Sequence, residues 1–527
     1  MTGGGWIEAG HTAEMEKARR LVFRHEGKQI LILKRGERYF AVNNRCPHQG
    51  YPLSEGTLSE DCTLTCNWHN WKFDLDSGDT VVGGDKLRSY PVKLAAGSIF
   101  VNLAEPDRGK SQAEALDNLH ACFHRYEYDR MGRELARFKA AGGNYAQAVG
   151  EMIRRCYVNF EYGMTHAFAA AADWLTLTER YEAEGRDDAA LVTVLEAVSH
   201  FAWDSQRYGE FAYTDKIISF DEQDFLEAVE VEDEEVAIAL INGALEQGST
   251  YAELRPVLAR AALAHYNDFG HSVIYVVKAG QLLEQVGGNC REAVLKSLVR
   301  SLVYARREDL VPEFRAYAGN LENWRNTGDQ RVDMDSLWGK PVNKILAAVS
   351  SSDLPEVELF KRLFEILVRN MLHFDTALAA RTDNKITDNV DWLDFTHGIT
   401  FSNAVRQLCE ETPDLWPQGL LQMACFAGRN VSYLDQNLDI EPWKVFDGEI
   451  FLEDTHNFLL NHGVPEPIVS CHILKTLMAL EAEMGAFPGA AWREEGLGAF
   501  NRFLAIPVRR RHSLRAARQS LAFTARE

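Results

Sequence analysis

Four side chains near the amino end stand in two short runs, Cys46-Pro47-His48-Gln49-Gly50 and Cys66-Asn67-Trp68-His69, with seventeen residues between His48 and Cys66. Each run offers one thiolate and one imidazole. Such a set suits a tetrahedral structural zinc site, or a [2Fe–2S] cluster in which two histidines replace two cysteines on one of the irons. Zinc fingers commonly place paired cysteines before paired histidines on a helix, whereas here each run donates one of each, which favours the cluster. Imidazole ligands remove negative charge from a cluster, raise its reduction potential and leave the histidine-bound iron near the surface, where single electrons can pass.

A second group of histidines lies far downstream. His166, His271, His397 and His472 each sit in a largely apolar run of helical spacing, where a ring is costly to bury unless it is hydrogen-bonded or bound to metal. Taken singly, each could equally be a satisfied core histidine. Asp268 and Asp394 stand three residues before His271 and His397; on a helix they would share a face with the rings and could fix their tautomers. His200, His265 and His373 also lie on helical patterns and could displace one of the four, whereas His120, His124, His456, His462 and His512 lie in polar contexts and are expected to be exposed.

The elements that must position these groups differ in period. From Leu21 to Leu103, short apolar runs such as Ile30-Leu31-Ile32-Leu33 and Tyr39-Phe40-Ala41-Val42 alternate with Gly, Asn, Asp and Pro, the pattern of a small antiparallel β domain. From about Ala113 the spacing becomes three and four, as in Phe360, Leu363, Phe364, Leu367 and Met371, which is amphipathic helix. The expected fold is therefore a small all-β domain followed by a large all-α domain: residues 1–105, a linker at 106–113, helices over 114–508 and a basic tail at 509–527. No fixed-period repeat favours a solenoid, and the polar stretch from Asn320 to Lys340 is too weak a division to mark a further domain.

With 527 residues the chain is too long for a single core. Lys+Arg 56 against Asp+Glu 77 gives a formal charge of −21, which argues against a nucleic-acid partner. The tail from Arg509, Arg510 and Arg511 through Arg515 and Arg518 is a local exception, expected to be a solvated helix or frayed terminus. No apolar run is long enough to span a bilayer, and the start lacks the pattern of a signal peptide, so a cytoplasmic protein without a membrane partner is expected. The nine cysteines are an odd count and scattered, unlike a secreted disulfide framework. No Gly-x-Gly-x-x-Gly turn announces a nicotinamide or flavin domain.

Over about residues 6–104 the chain resembles the Rieske ferredoxin family. Beyond the two ligand runs, Trp71-Lys72-Phe73-Asp74-Leu75-Asp76-Ser77-Gly78 is similar to the Trp-His-x-x-x-Phe-Asp-x-x-x-Gly run of ferredoxins and ring-hydroxylating oxygenases. The resemblance implies a [2Fe–2S] cluster bound by Cys46, His48, Cys66 and His69. Respiratory members add a disulfide between the ligand loops; Tyr51 and Trp68 stand there instead, implying the soluble, lower-potential type, and Asn67 and Asn70 replace the usual Pro and Gly. The iron motif of Rieske oxygenase catalytic domains, Asp/Glu-x-x-His-x4-His, is begun by Asp394-Phe395-Thr396-His397, but Ser402 occupies the second histidine position.

Over about residues 140–485 the chain is similar to the questin oxidase-like family, on Gly270-His271-Ser272-Val273-Ile274-Tyr275, on Asp391 to Thr400, and on His472-x-x-Lys475. That resemblance implies a helical, oxygen-dependent enzyme acting on anthraquinone-type polyketide rings. Its non-haem iron would be held by His166, His271, His397 and His472 with Lys475 as a carboxylated lysine, and His271 and His397 would be catalytic. Ser272 and Tyr275 depart from the family's Pro and second His, and that family lacks the ferredoxin domain. Read from the residues alone, Lys475 could equally be a surface ammonium. Together the two resemblances imply a mono- or dioxygenase supplied with electrons from NAD(P)H by an external reductase or ferredoxin reductase. It would act with O2 on a small aromatic substrate, with a homo-oligomer among the arrangements allowed. The alternative is a Rieske electron-transfer protein whose helical domain is a metal-free partner-binding scaffold.

Overall fold

The computed structural model describes residues 5–206, 209–325, 334–379, 381, 390–464, 466–506, 512–525 and 527. By contact the chain divides into two compact units: Met1–Ala148 with Gly185–Leu195 and Leu514–Glu527, and Val149–Glu184 with Glu196–Ser513. Strands concentrate in the first unit and helices dominate the second, as the change of period requires.

In the first unit three small antiparallel sheets form. β1 (Trp6–His11) pairs with β11 (Ser98–Asn102), which pairs with β10 (Val92–Ala95); β2 (Arg20–His25), β3 (Lys28–Arg35), β4 (Arg38–Asn43) and β9 (Ser89–Tyr90) make the second. The third runs β5 (Thr57–Leu58), β6 (Thr63–Thr65), β7 (Lys72–Asp74) and β8 (Thr80–Val82), and the loops carrying the cysteine–histidine runs flank it. β3 sits centrally, so both of its faces are buried: Leu31 and Leu33 pack with Phe40, Leu64 and Phe73, while Ile30 and Ile32 pack with Met15, Tyr90 and Ile99. That explains a continuous apolar run in place of strict alternation.

The unit does not stop at 105. A helix at Arg108–Phe123 begins inside the segment expected as linker, its N-terminus capped by the Asp107 carboxylate, which accepts from the Lys110 amide at 2.9 Å. The following helix, Tyr128–Ala140, is tied back by Asp85. That carboxylate has no solvent exposure and meets Arg133 at 2.6 Å, Arg137 at 3.4 Å and Arg130 at 3.5 Å. Arg137 also pairs with Glu134 and Glu527, each at 2.7 Å. The tail is a helix, Ser513–Thr524, with Ala516 and Ala517 buried and Arg518 paired with Asp188 at 2.8 Å, so it is not frayed; Arg509, Arg510 and Arg511 lie outside the described residues.

In the second unit four helices pack in a closed cycle: His166–Ala183 against His271–Val286, that against Leu393–Glu411, that against Pro467–Ala486, and the last against the first. Buried Ala169, Ala170, Ala171 and Ala172 let neighbours approach the first helix closely. Local sequence sets each start. Thr165 caps Ala167, the Asp391 carboxylate accepts from Leu393, and Pro467 occupies the first turn where no amide donor is needed. No helix among the described residues is long and apolar enough to cross a membrane.

Candidate metal centres

In the first unit the two cysteine–histidine loops share one backbone design. Cys46 donates its amide to the Tyr51 carbonyl (2.9 Å) and accepts at its own carbonyl from Gly50 (2.7 Å); Cys66 donates to Trp71 (2.8 Å) and accepts from Asn70 (2.9 Å). Gly50 and Asn70 close these turns with φ of 73° and 60°. Asparagine tolerates the left-handed region better than most residues with a side chain, so it serves where the family usually has glycine. Asn67 replaces proline by bridging to a neighbouring loop: its Nδ2 donates to the Glu55 carbonyl and its Oδ1 accepts from Thr57, both at 2.9 Å.

Both cysteine side chains are buried, with the two thiols as neighbours, and burial pushes the Cys46 thiol up to about 12 with Cys66 beside it. A metal is what would draw these thiols into thiolates. The His48 and His69 rings face each other at 4.7 Å, and the Nδ1 of His48 is buried without a hydrogen-bond partner. Two neighbouring thiols, and two facing imidazoles of which one has an orphaned nitrogen, carried by the same pair of loops, fit a cluster as ligands. The surroundings of the two rings differ. His48 is half-buried and stacked on Trp71 at 4.5 Å, whereas His69 is exposed and stacked on Trp68, itself 55% exposed. Tyr51 and Trp68 meet at 5.6 Å, an aromatic contact joining the loops where respiratory proteins would have their disulfide.

In the second unit, the ends of the four packed helices bring His166, His271, His397 and His472 together. Nε2 of His271 lies 3.1 Å from that of His166 and 2.9 Å from that of His397, and Nε2 of His472 lies 3.4 Å from that of His397. Ligand atoms of His166, His271 and His397 all lie within 4.8 Å of one another. The opposite nitrogens are already engaged: Nδ1 donates to the carbonyl of Asp268 in His271, of Leu393 in His397 and of Ile468 in His472, each at 2.6 Å. With Nδ1 protonated, a neutral ring has only a lone pair at Nε2. Burial, reinforced by the neighbouring rings and Lys475, lowers all four pKa values, that of His271 to about 3. Several lone pairs at hydrogen-bonding distance repel one another unless a cation stands among them, and the donor set fits a metal ion.

Lys475 is also buried; its ammonium pKa is lowered by burial, and its Nζ has no hydrogen-bond partner. It is no surface ammonium. The expectation for Asp268 and Asp394 needs correction: the acceptors that fix His271 and His397 are backbone carbonyls. The Asp268 carboxylate stays 3.7 Å from Nδ1 of His271, and that of Asp394 accepts from the Asp391 amide. His456 and His462 are buried, contrary to expectation, beside Glu481 at 2.9 Å and Glu196 at 3.2 Å. The structure leaves His200, His265 and His373 outside the histidine cluster: His265 bridges Glu230 and Asp309, His373 contacts the Asp435 carbonyl, and His200 lies near Asp204. A part-buried ion pair that no sequence motif marks lies beside Lys475. Asp173 and Lys278 meet at 2.6 Å, the second oxygen of Asp173 has no partner, and both charges act on Lys475; an aspartate closing the alanine-rich run was the available signal.

Residues 5–91 match the Rieske [2Fe-2S] domain family. The ferredoxin component of the alkene monooxygenase system of Xanthobacter autotrophicus is 34% identical over 74 residues, 14% of this chain and 61% of that protein. The ferredoxin subunit of 3-phenylpropionate/cinnamic acid dioxygenase from Escherichia coli K12 is 36% identical over 78 residues, 14% of this chain and 74% of that one. The chain thus spans less than two thirds of the first of these relatives. Among solved structures, the terminal oxygenase of carbazole 1,9a-dioxygenase from Nocardioides aromaticivorans IC177 is similar over 20% of this chain and 31% of its own, at 25% identity and a TM-score of 0.19. The ferredoxin of the same system is similar over 19% of this chain and 98% of its own, at 19% identity and a TM-score of 0.18.

Proposed function

Since the chain belongs, through residues 5–91, to the Rieske [2Fe–2S] family, we propose that it is an oxygenase. It would accept electrons from an external reductase at a cluster held by Cys46, His48, Cys66 and His69. It would use them with O2 at a non-haem iron held by His166, His271, His397 and His472, on an aromatic, polyketide-type substrate. Bound at these places, the cluster would supply electrons one at a time and the iron its open positions and one-electron chemistry with O2. The reading rests above all on one observation: in three of the four converging rings Nδ1 is committed to a carbonyl, so that their Nε2 lone pairs crowd together.

The residues have separate tasks. Backbone carbonyls orient the rings and keep the tautomer that ligation needs. The surrounding helices exclude water from a site where neutral imidazoles persist. Burial disfavours the ammonium form of Lys475; its amine form can add CO2 with loss of one proton, and the resulting carbamate oxygen would complete the ligand set as an anion. This is the role implied by the likeness of His472-x-x-Lys475 to the questin oxidase-like family. In the first unit, exposed His69 and Trp68 provide the edge at which a reductase would exchange electrons.

The test is metal analysis of the purified chain joined to paramagnetic resonance before and after reduction. About three irons per chain are expected, two of them in the cluster. His271→Ala and His397→Ala should lose the third while the reduced cluster's signal persists. Two irons in the parent chain would point instead to an electron carrier with a metal-free helical scaffold, and zinc in place of iron and sulfide would end the redox reading.

A further inference from the structure

Immediately before His271 the backbone does something unusual. Asp268, Phe269 and Gly270 have φ of 40°, 58° and 78°, three left-handed residues in succession, of which only the last is a glycine. Gly270 has no alternative, because a Cβ there would lie 2.6 Å from the ring of Phe401. For Asp268 and Phe269 the conformation is costly and persists only where the surroundings enforce it.

The restraints can be named. The Asp268 amide donates to the Arg306 carbonyl at 2.8 Å, and the Gly270 amide to Asn267 at 2.8 Å. The amide of Phe269, the residue at the centre of the strain, donates to a side chain: Oε2 of Glu308, at 3.0 Å. Glu308 is held in turn by Arg429 at 3.5 Å, and the Arg429 guanidinium lies 4.1 Å over the Phe269 ring while donating to the Tyr266 hydroxyl at 2.6 Å. This turn sets two of the four histidines: the Asp268 carbonyl fixes His271, and the Phe269 ring stands edge-on to His397 at 4.7 Å.

We infer that Glu308 is a positioning residue of the mononuclear centre, acting through the Phe269 amide to hold the left-handed turn that aims His271 and His397, with Arg429 holding the carboxylate in place. This rests on the reading that the histidine cluster binds metal. The experiment uses the full chain, its mononuclear metal removed by brief chelation while the cluster's visible absorption is retained, and titrates it with Co2+. Glu308→Ala should weaken Co2+ binding by about tenfold or more, the range seen when groups that orient metal ligands are removed, and should alter the Co2+ ligand-field spectrum. Glu308→Gln, whose amide oxygen still accepts from Phe269, should restore both. The inference is overturned if Glu308→Ala binds Co2+ as the parent does with the same spectrum, or if Glu308→Gln is as impaired as Glu308→Ala. Should Glu308→Ala lose the parent's helical circular dichroism, Arg429→Gln is measured instead, with weaker binding expected and unchanged binding overturning the inference. A parent chain that takes up no Co2+ would sink the metal reading itself, a result distinct from uptake that is indifferent to Glu308.

Discussion

Burial disfavours the charged form of the Lys475 side chain, and that gives the proposed centre its most specific chemical demand. If a carbamate on this amine is the anionic ligand, Lys475→Ala should lose most of the mononuclear iron, and acetate added during reconstitution should restore part of it by placing a carboxylate in the vacated space; metal content with and without acetate checks this. How legible each residue is follows from where its partners lie. Cys46, His48, Cys66 and His69 declare themselves because each loop brings two ligands within four residues of sequence. His456 and His462 are misread as exposed because the carboxylates that make their burial tolerable, Glu481 and Glu196, are distant in the chain. Lys475 stays ambiguous for the same reason, since only the packing of four helices shows that no solvent reaches it.

The elements were largely readable, because alternation and helical spacing record which faces are buried. What periodicity cannot show is the irregular backbone between elements. The turn at Asp268–Gly270 has glycine at one position only, and the carboxylate that stabilises it arrives from residue 308. The adjoining segment depends on His265, whose contacts with Glu230 at 2.6 Å and Asp309 at 3.2 Å link the stretch after the helix Tyr251–Leu263 to two other parts of the unit. Burial alone would depress the His265 pKa, but hydrogen bonds to Asp309 and Glu230 outweigh it, and the net shift is upward from 6.5. Burial would raise Asp309, yet His265 and Arg307 bring it down to about 2. A raised histidine contributes stability fully below its unfolded value and loses it as pH climbs through its folded value; a depressed carboxylate contributes above its unfolded value and loses it as pH falls through its folded one. The pair is therefore at full strength between 3.8 and 6.5. The difference in thermal midpoint between the parent and His265→Gln should be largest in that window and shrink at more alkaline pH, as thermal scans at several pH values would show.

For the whole molecule, the two periods of the sequence announced two kinds of architecture, yet they could not reveal that the unit bearing the cysteine–histidine loops draws on three separate stretches of chain. Asp85 shows why. Its partners Arg130, Arg133 and Arg137 belong to a helix beyond the β region, and Arg137 also reaches Glu527. Asp85→Ala would leave buried guanidinium groups short of countercharge, a loss of about 3–5 kcal/mol by analogy with other broken buried pairs; urea unfolding followed by bleaching of the cluster would measure it. Phe523 adds a second long-range tie, its ring 3.1 Å from where a Cβ would project at Gly50, in the loop between Cys46 and Tyr51. Because these contacts come from Leu514–Glu527, a ribosome must translate every helix of the second unit before the first can close. Iron and sulfide delivered before Leu514–Glu527 has been made would meet an open cradle, whose enclosure waits on that stretch.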